Sequence, residues 1–215
     1  MTTELAKARI LLCDDHTVVR MGFRLLLEGV GATVVAEADN GEAALTAYEA
    51  HRPDLLIMDI SMPGMDGLSA LTRLLSHHPG ARVLMLSAHN DAQFPGRALR
   101  KGALGYLCKR ASPDEFLRAA AAVRQGRRYL DPEIAPALAL AQLGGATDPV
   151  ASLTDKEFEI FRHLAQGRSV NEIASQCHLS PSTVGTHLYH IKQKLGVQNA
   201  AELALIAIRS GIIEA

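Results

Sequence analysis

The sequence predicts an α/β doubly wound domain on a five-stranded parallel sheet, followed by a small all-α domain. Three observations lead there. Short apolar runs alternate with amphipathic stretches through residues 1–128. A segment at 129–149 holds three prolines and a Gly-Gly pair, the composition of a linker. Residues 150–215 read as four helices, with capping signals at Thr154 and Ser180. The total of 215 residues suits one or two domains.

The predicted strands are Ile10–Cys13, Thr33–Ala38, Leu55–Met58, Val83–Leu86 and Gly105–Leu107. All are nearly unbroken apolar runs, as strands covered on both faces must be. Val18–Glu28 and Pro113–Gln125 are amphipathic and read as covering helices. Asn40 is placed to cap the second helix, and Ser112-Pro113 reads as a cap followed by proline at the first helical position. Pro95-Gly96 makes a weak start to the fourth helix, so residues 88–97 are expected to be mobile.

In the second domain Thr154 and Glu157 form a capping box, Phe158, Phe161, Leu164 and Ala165 repeat at helical spacing, and Gly167 stops the helix. A short helix, Val170–Cys177, turns through His178-Leu179 into Ser180-Pro181, which starts a third helix running to Leu195. Two short helices joined by a tight turn are a helix-turn-helix candidate. That geometry also occurs in ordinary helical bundles.

Composition excludes several classes. With 48% hydrophobic residues the chain can build packed cores, and with 4% aromatics and no Trp those cores are aliphatic. No apolar run reaches the roughly 18 residues of a membrane span. The opening MTTELAKARILLCDDH has no secretory layout, and three distant cysteines argue against a disulfide framework. A cytoplasmic protein is expected. The 22 basic and 23 acidic residues nearly cancel, which excludes a wholly basic nucleic-acid-coating surface. By region the balance is 16 to 14 in residues 1–130, none to three in 131–149, and six to six in 150–215.

In doubly wound sheets ligands sit at the carboxyl ends of the strands. There the chain places Asp14-Asp15 after the first strand, Asp59 after the third, Ser87 after the fourth and Lys109 after the fifth. Converging carboxylates call for an oxygen-loving cation such as Mg²⁺. A lysine and a hydroxyl opposite them suit phosphoryl chemistry on a carboxylate nucleophile. An isolated aspartate after a strand is usually a cap or turn former; four such groups on one edge are better explained as a site.

The segments ILLCDDH, LLIMDISMPGMDG, VLMLSAH and GALGYLCKR resemble the flavodoxin-like receiver domain of two-component response regulators, over residues 7–126. The resemblance implies that Asp59 accepts a phosphoryl group from a sensor histidine kinase. It implies that Asp14, Asp15, Asp59 and the backbone carbonyl of Ser61 bind Mg²⁺, and that Ser87 and Lys109 engage the phosphoryl oxygens. It further implies a switch formed by Ser87 and Tyr106, the ring turning inward as the hydroxyl is drawn to the phosphate. Two features depart from it or add to it. Lys109-Arg110 stands where the family often has a cis Lys-Pro, which leaves the isomer of this bond open. His89 borders the approach of a hydrolytic water, where it either tunes the lifetime of the modification or has no role.

LTDKE, GRSVNEIA and LSPSTVGTHLYHIKQKLGV resemble the LuxR-type helix-turn-helix that ends NarL/FixJ-type response regulators. In that family the third helix enters the major groove and the fourth helps form a dimer. The residues left for DNA are Ser180, Ser182, Thr183, Thr186, His187, Tyr189, Lys192 and Lys194. Gly185 and Tyr189 stand where relatives often carry Lys or Arg. Zero net charge predicts weak binding by one domain, hence a homodimer on activation and a two-fold symmetric site on double-stranded DNA. Leu203, Ile206, Ala207 and Ser210 share one face of the last helix and are the dimer candidates, with core packing as the other reading. RNA polymerase is a further candidate partner.

The function expected is a phosphorylation-switched transcription regulator with at most slow self-dephosphorylation. The rivals are an aspartyl-nucleophile phosphatase, disfavoured by Ser61 where its second acid belongs, and an adaptor whose last domain binds protein.

Overall fold

The computed structural model describes residues 4–88, 93–136, 138–139, 149–177, 179–210 and 212–213. The chain divides into two compact units, Met1–Ala139 and Leu140–Ala215. In the first, β1 (Arg9–Cys13), β2 (Thr33–Ala38), β3 (Leu55–Asp59), β4 (Val83–Ser87) and β5 (Gly105–Cys108) alternate with α1 (Thr17–Gly29), α2 (Gly41–His51), α3 (Gly67–His77), α4 (Gln93–Arg100) and α5 (Pro113–Arg124). The strands pair in parallel in the order β2-β1-β3-β4-β5, with a short sixth strand, β6 (Tyr129–Leu130), beyond β5. The order reverses direction between β1 and β3, so the crevice at their carboxyl ends is the topological switch point.

The sheet thus has six strands, not the expected five, and Tyr129-Leu130 belongs to it, not to a linker starting at 129. Two residues are too few for any periodic signal, and β6 pairs only through Gly105↔Tyr129 and Tyr106↔Leu130. The starts of α2, α3 and α5 follow their caps. The side chains of Asn40, Asp66 and Ser112 accept the amides of Ala43, Ser69 and Glu115. Residues 93–97 are helical, with Phe94 and Arg97 buried; His89 lies outside the described residues. One core cluster packs α1 and α5 against the sheet through Leu27, Ile10, Leu12, Ile57, Leu84 and Phe116. Phe23 stacks on Phe116 with ring centroids 4.4 Å apart.

Among its described residues the second unit has a 3-10 turn (Pro149–Ser152) and four helices, α6 (Asp155–Ala165), α7 (Val170–Gln176), α8 (Pro181–Leu195) and α9 (Ala200–Arg209). The Thr154/Glu157 capping box forms, and a second box, Ser169/Glu172, opens α7. Ser180 caps α8, and Gly196 ends it in the left-handed region at φ 66°. Phe158, Ile160, Phe161, Ile173, Val184, Ile191, Leu203 and Ala207 are buried. Glu159, His163 and Cys177 bring donor atoms within 4.8 Å of one another, but each is already engaged. The Cys177 thiol donates to Glu159 at 3.6 Å, Lys156 pairs with Glu159 at 2.8 Å, and Arg168 lies 3.0 Å from His163 Nδ1. With arginines 162 and 168 beside it, this cluster is structural.

Local packing fixes where β3 delivers its last residue. A Cβ on Gly67, the first residue of α3, would lie 2.1 Å from the Asp59 carbonyl oxygen. No rotamer escapes a backbone atom, so Gly67→Ala must push α3 off the end of β3. Overpacking of this kind costs about 1–3 kcal/mol. Urea denaturation is expected to show a loss of that size; an unchanged midpoint would mean that α3 moves freely.

Candidate functional site

β1, β3 and β5 deliver Asp14, Asp59 and Lys109 to one spot. Register sets the two aspartates side by side: Cys13 pairs with Met58, so Asp14 and Asp59 leave the sheet at one level, while Lys109 stands two residues past Leu107, the residue level with Asp59 through Leu86. The Lys109 ammonium lies 2.7 Å from Asp14 Oδ2 and 2.7 Å from Asp59 Oδ2. Both aspartates are 2% exposed. The Ser61 amide reaches the other oxygen of Asp59 at 3.3 Å. Asp14 Oδ1 accepts from the His16 amide at 2.9 Å, and the Arg20 guanidinium donates to the Asp14 carbonyl oxygen. Lys109's own amide donates to the Ser87 carbonyl oxygen at 2.7 Å, which ties the lysine to the end of β4.

Burial sets the electrostatics. It pushes the Asp59 carboxyl up to about 6, against the pull of Lys109 and with a further push from Asp14. For Lys109, burial opposes the charge, but Asp59 and Asp14 outweigh it and hold the ammonium above the usual lysine range. The buried Cys13 thiol, beside the same two acids, is pushed far up and stays protonated. Three ionised carboxylates against one ammonium would leave two negative charges in a partly dry pocket, which a divalent cation would balance.

Asp14, Asp15, His16 and Asp59 place ligand atoms within 4.8 Å of one another. The three carboxylates are hard oxygen donors of the kind Mg²⁺ takes, so the residues present fit that ion. His16 was not foreseen in the sequence; its Nδ1 lies 2.8 Å from Asp15 and 3.4 Å from Asp14. The signal was only its place directly after the acidic pair. Ser87 and Tyr106 are both fully buried, and the Tyr106 ring lies inside the domain. No cis peptide bond occurs among the described residues, so Lys109-Arg110 is trans.

On α8 the candidate DNA contacts divide by face. Val184 and Ile191 face inward, Leu188 and His187 are half-buried, and Ser182, Gly185, Thr186, Tyr189, His190 and Gln193 face out. Thr186 and Tyr189, the latter 62% exposed, stand on the outward stripe as expected. His190 and Gln193 share it, at helical spacing from Thr186. Ser180 is the cap, bonded to the Thr183 amide at 3.1 Å. Burial lowers the His187 pKa, in keeping with a ring turned toward the domain. The two lysines are held within their own unit. Lys194 pairs with the buried Glu157 at 2.6 Å, and Lys192 donates to the Gln198 carbonyl oxygen at 2.8 Å. His178 lies outside the described residues.

The expected dimer face on α9 needs correction. Leu203 and Ala207 are buried because α9 packs on α6 through that stripe; Ile206 and Ser210 are half-buried. The large apolar residues exposed on α9 are Leu205 and Ile208.

Comparison with known proteins agrees with this geometry. Residues 10–121 match the response regulator receiver domain, and residues 151–207 match the bacterial regulatory proteins of the luxR family. The response regulator UvrY of Escherichia coli K12 is 38% identical over 209 residues, 96% of each chain. The response regulator GacA of Pseudomonas aeruginosa is 38% identical over 210 residues, 96% of this chain and 98% of GacA. Among solved structures, RcsB of Salmonella enterica serovar Typhimurium, bound to the promoter P1flhDC with the phosphomimetic BeF3−, is 27% identical. It superposes with a TM-score of 0.64 over 93% of this chain and 98% of RcsB. No helix among the described residues is long and apolar enough to cross a membrane. The chain belongs to the two-component response regulators of the NarL/FixJ type, a receiver domain followed by a LuxR-type DNA-binding domain.

Proposed function

We propose that Asp59 is the phosphoryl acceptor of this response regulator and that a sensor histidine kinase is the donor. The observation that carries this is the Lys109 ammonium held 2.7 Å from both Asp14 and Asp59 at the carboxyl edge of the sheet. A carboxylate oxygen of Asp59 attacks phosphorus, the O–P bond forms and the bond from phosphorus to the kinase imidazole nitrogen breaks. Lys109 is placed to neutralise an oxygen of the transferring group, and Ser87 to donate a hydrogen bond to another. Asp14, Asp15, Asp59 and the Ser61 carbonyl would hold Mg²⁺, which supplies the charge that lets an anionic donor approach these acids. Self-dephosphorylation at this site is slow, because no general base follows Asp59 where Ser61 stands. The protein works in the cytoplasm.

Phosphorylation draws Ser87 and Tyr106 to one arrangement, favours pairing of two chains and so favours binding at a two-fold DNA site. RNA polymerase is a candidate next partner. The outward face of α8, with Ser182, Thr186, Tyr189, His190 and Gln193, enters the major groove, where side chains reach base edges. The helix amides near Ser180 and Thr183 suit backbone phosphates. Leu205 and Ile208 replace Leu203 and Ala207 as the apolar contact between two chains.

Two outcomes test this. A proton on Asp59 competes with the cation. Since burial puts that carboxyl at about 6, Mg²⁺ affinity should fall as pH drops through that value and level off above it. Calorimetric titrations at about pH 5.5 and about pH 7.5 should differ for wild type and agree for Asp59→Asn. Equal wild-type affinities would remove Asp59 from the ion's site. For the output domain, Tyr189→Ala should leave the melting temperature unchanged and weaken binding of the phosphorylated protein to a selected site by about 1–3 kcal/mol. Fluorescence anisotropy reads this, and unaltered affinity would move the reading surface off the outward face of α8.

A further inference from the structure

The residue that follows β6 is tied to the strand carrying the switch and the site lysine. The Asp131 amide donates to the Tyr106 carbonyl oxygen at 3.0 Å. Asp131 is 3% exposed, and its Oδ2 accepts the Cys108 amide at 2.9 Å. That amide faces the β6 side of β5, where β6 has already ended, so a carboxylate fills the place of the next ladder carbonyl. Cys108 is the last residue of β5 and Lys109 follows it directly.

Asp131 also starts the segment leaving the sheet. Its Oδ1 accepts the Glu133 amide at 2.9 Å, and its carbonyl oxygen accepts the amides of Ile134 at 3.1 Å and Ala135 at 3.0 Å. The helical turns that follow bury Ile134 and Leu138. Leu138 sits over α4 at Gly96, where a Cβ would come within 3.3 Å of the leucine methyl. One carboxylate therefore joins the end of β5 to the chain leading out of the receiver.

We propose that Asp131 is a positioning residue that couples the phosphoryl site to the segment 131–139. This rests on Asp59 being the acceptor. When Lys109 turns from the two aspartates to a phosphoryl oxygen, the end of β5 adjusts, and the Cys108 amide carries that adjustment to Asp131 and the turns it caps. Coupling is reciprocal, so loosening the clasp must also alter affinity at the phosphoryl site.

The test uses the full chain with BeF3− and Mg²⁺ as the phosphoryl analogue. BeF3− affinity is measured by calorimetry, and hydrogen exchange is followed over residues 105–110 and 131–139. Wild type is expected to bind and to change its exchange in both segments. Asp131→Ala is expected to weaken BeF3− binding by about fivefold or more and to lose the response at 131–139. Asp131→Asn keeps one acceptor oxygen and should fall between the two; it decides the matter should the alanine variant fail to fold. Affinities within about twofold of wild type, or a wild-type segment 131–139 that ignores BeF3−, would reduce Asp131 to a structural cap and overturn the proposal. If wild type takes no BeF3−, or Asp59→Asn takes it equally, the Asp59 assignment itself fails and the clasp falls with it.

Discussion

The receiver is organised around an ammonium held between two buried carboxylates. Taking Asp14, Asp59 and Lys109 out of water costs several kcal/mol per charge, which only close pairing offsets. The Lys109 contacts of 2.7 Å supply that pairing. Removing one member leaves a buried charge without its partner, a change that typically costs about 3–5 kcal/mol. In the same arrangement burial pushes the Asp59 carboxyl up to about 6, and its second oxygen accepts a long bond from the Ser61 amide. A group in that state gains from a bound cation, which offsets the neighbouring negative charge. The sheet's function is to hold it so.

Much of this was legible in the sequence. Strands buried on both faces read as apolar runs, so the polar residue that ends each run stands out, and Asp14, Asp59, Ser87 and Lys109 were all found that way. Caps were equally readable at Asn40, Ser112, Thr154 and Ser180 because each is a local pattern within four residues. What was not legible depends on neighbours distant in sequence. β6 is two residues long and exists only as a partner for β5, and the Asp131 carboxylate finds an amide 23 residues before it. Gly67 looks like an ordinary turn glycine until the Asp59 carbonyl is placed beneath it.

The output domain illustrates the same division. Helical spacing alone could not say which stripe of α9 faces inward; packing on α6 takes Leu203 and Ala207 and leaves Leu205 and Ile208 outside. Nor could a count of charges reveal that Lys194 neutralises Glu157 within its own unit. A domain with six basic and six acidic residues, one of the lysines already paired with a buried acid, has little charge to offer phosphates. On the function proposed above, DNA recognition would then fall on uncharged groups of α8 and on two chains acting together.

If the pocket under Lys109 delivers Asp59, and no other residue, to an incoming phosphorus, then modification occurs at one place only. Wild type and Asp59→Asn, incubated with Mg²⁺ and acetyl phosphate, can be compared by intact-protein mass spectrometry with the modified peptide mapped. One phosphoryl group per wild-type chain is expected, located in the peptide containing Asp59, and none on the variant. Equal labelling of the variant, or a group mapped elsewhere, would contradict it.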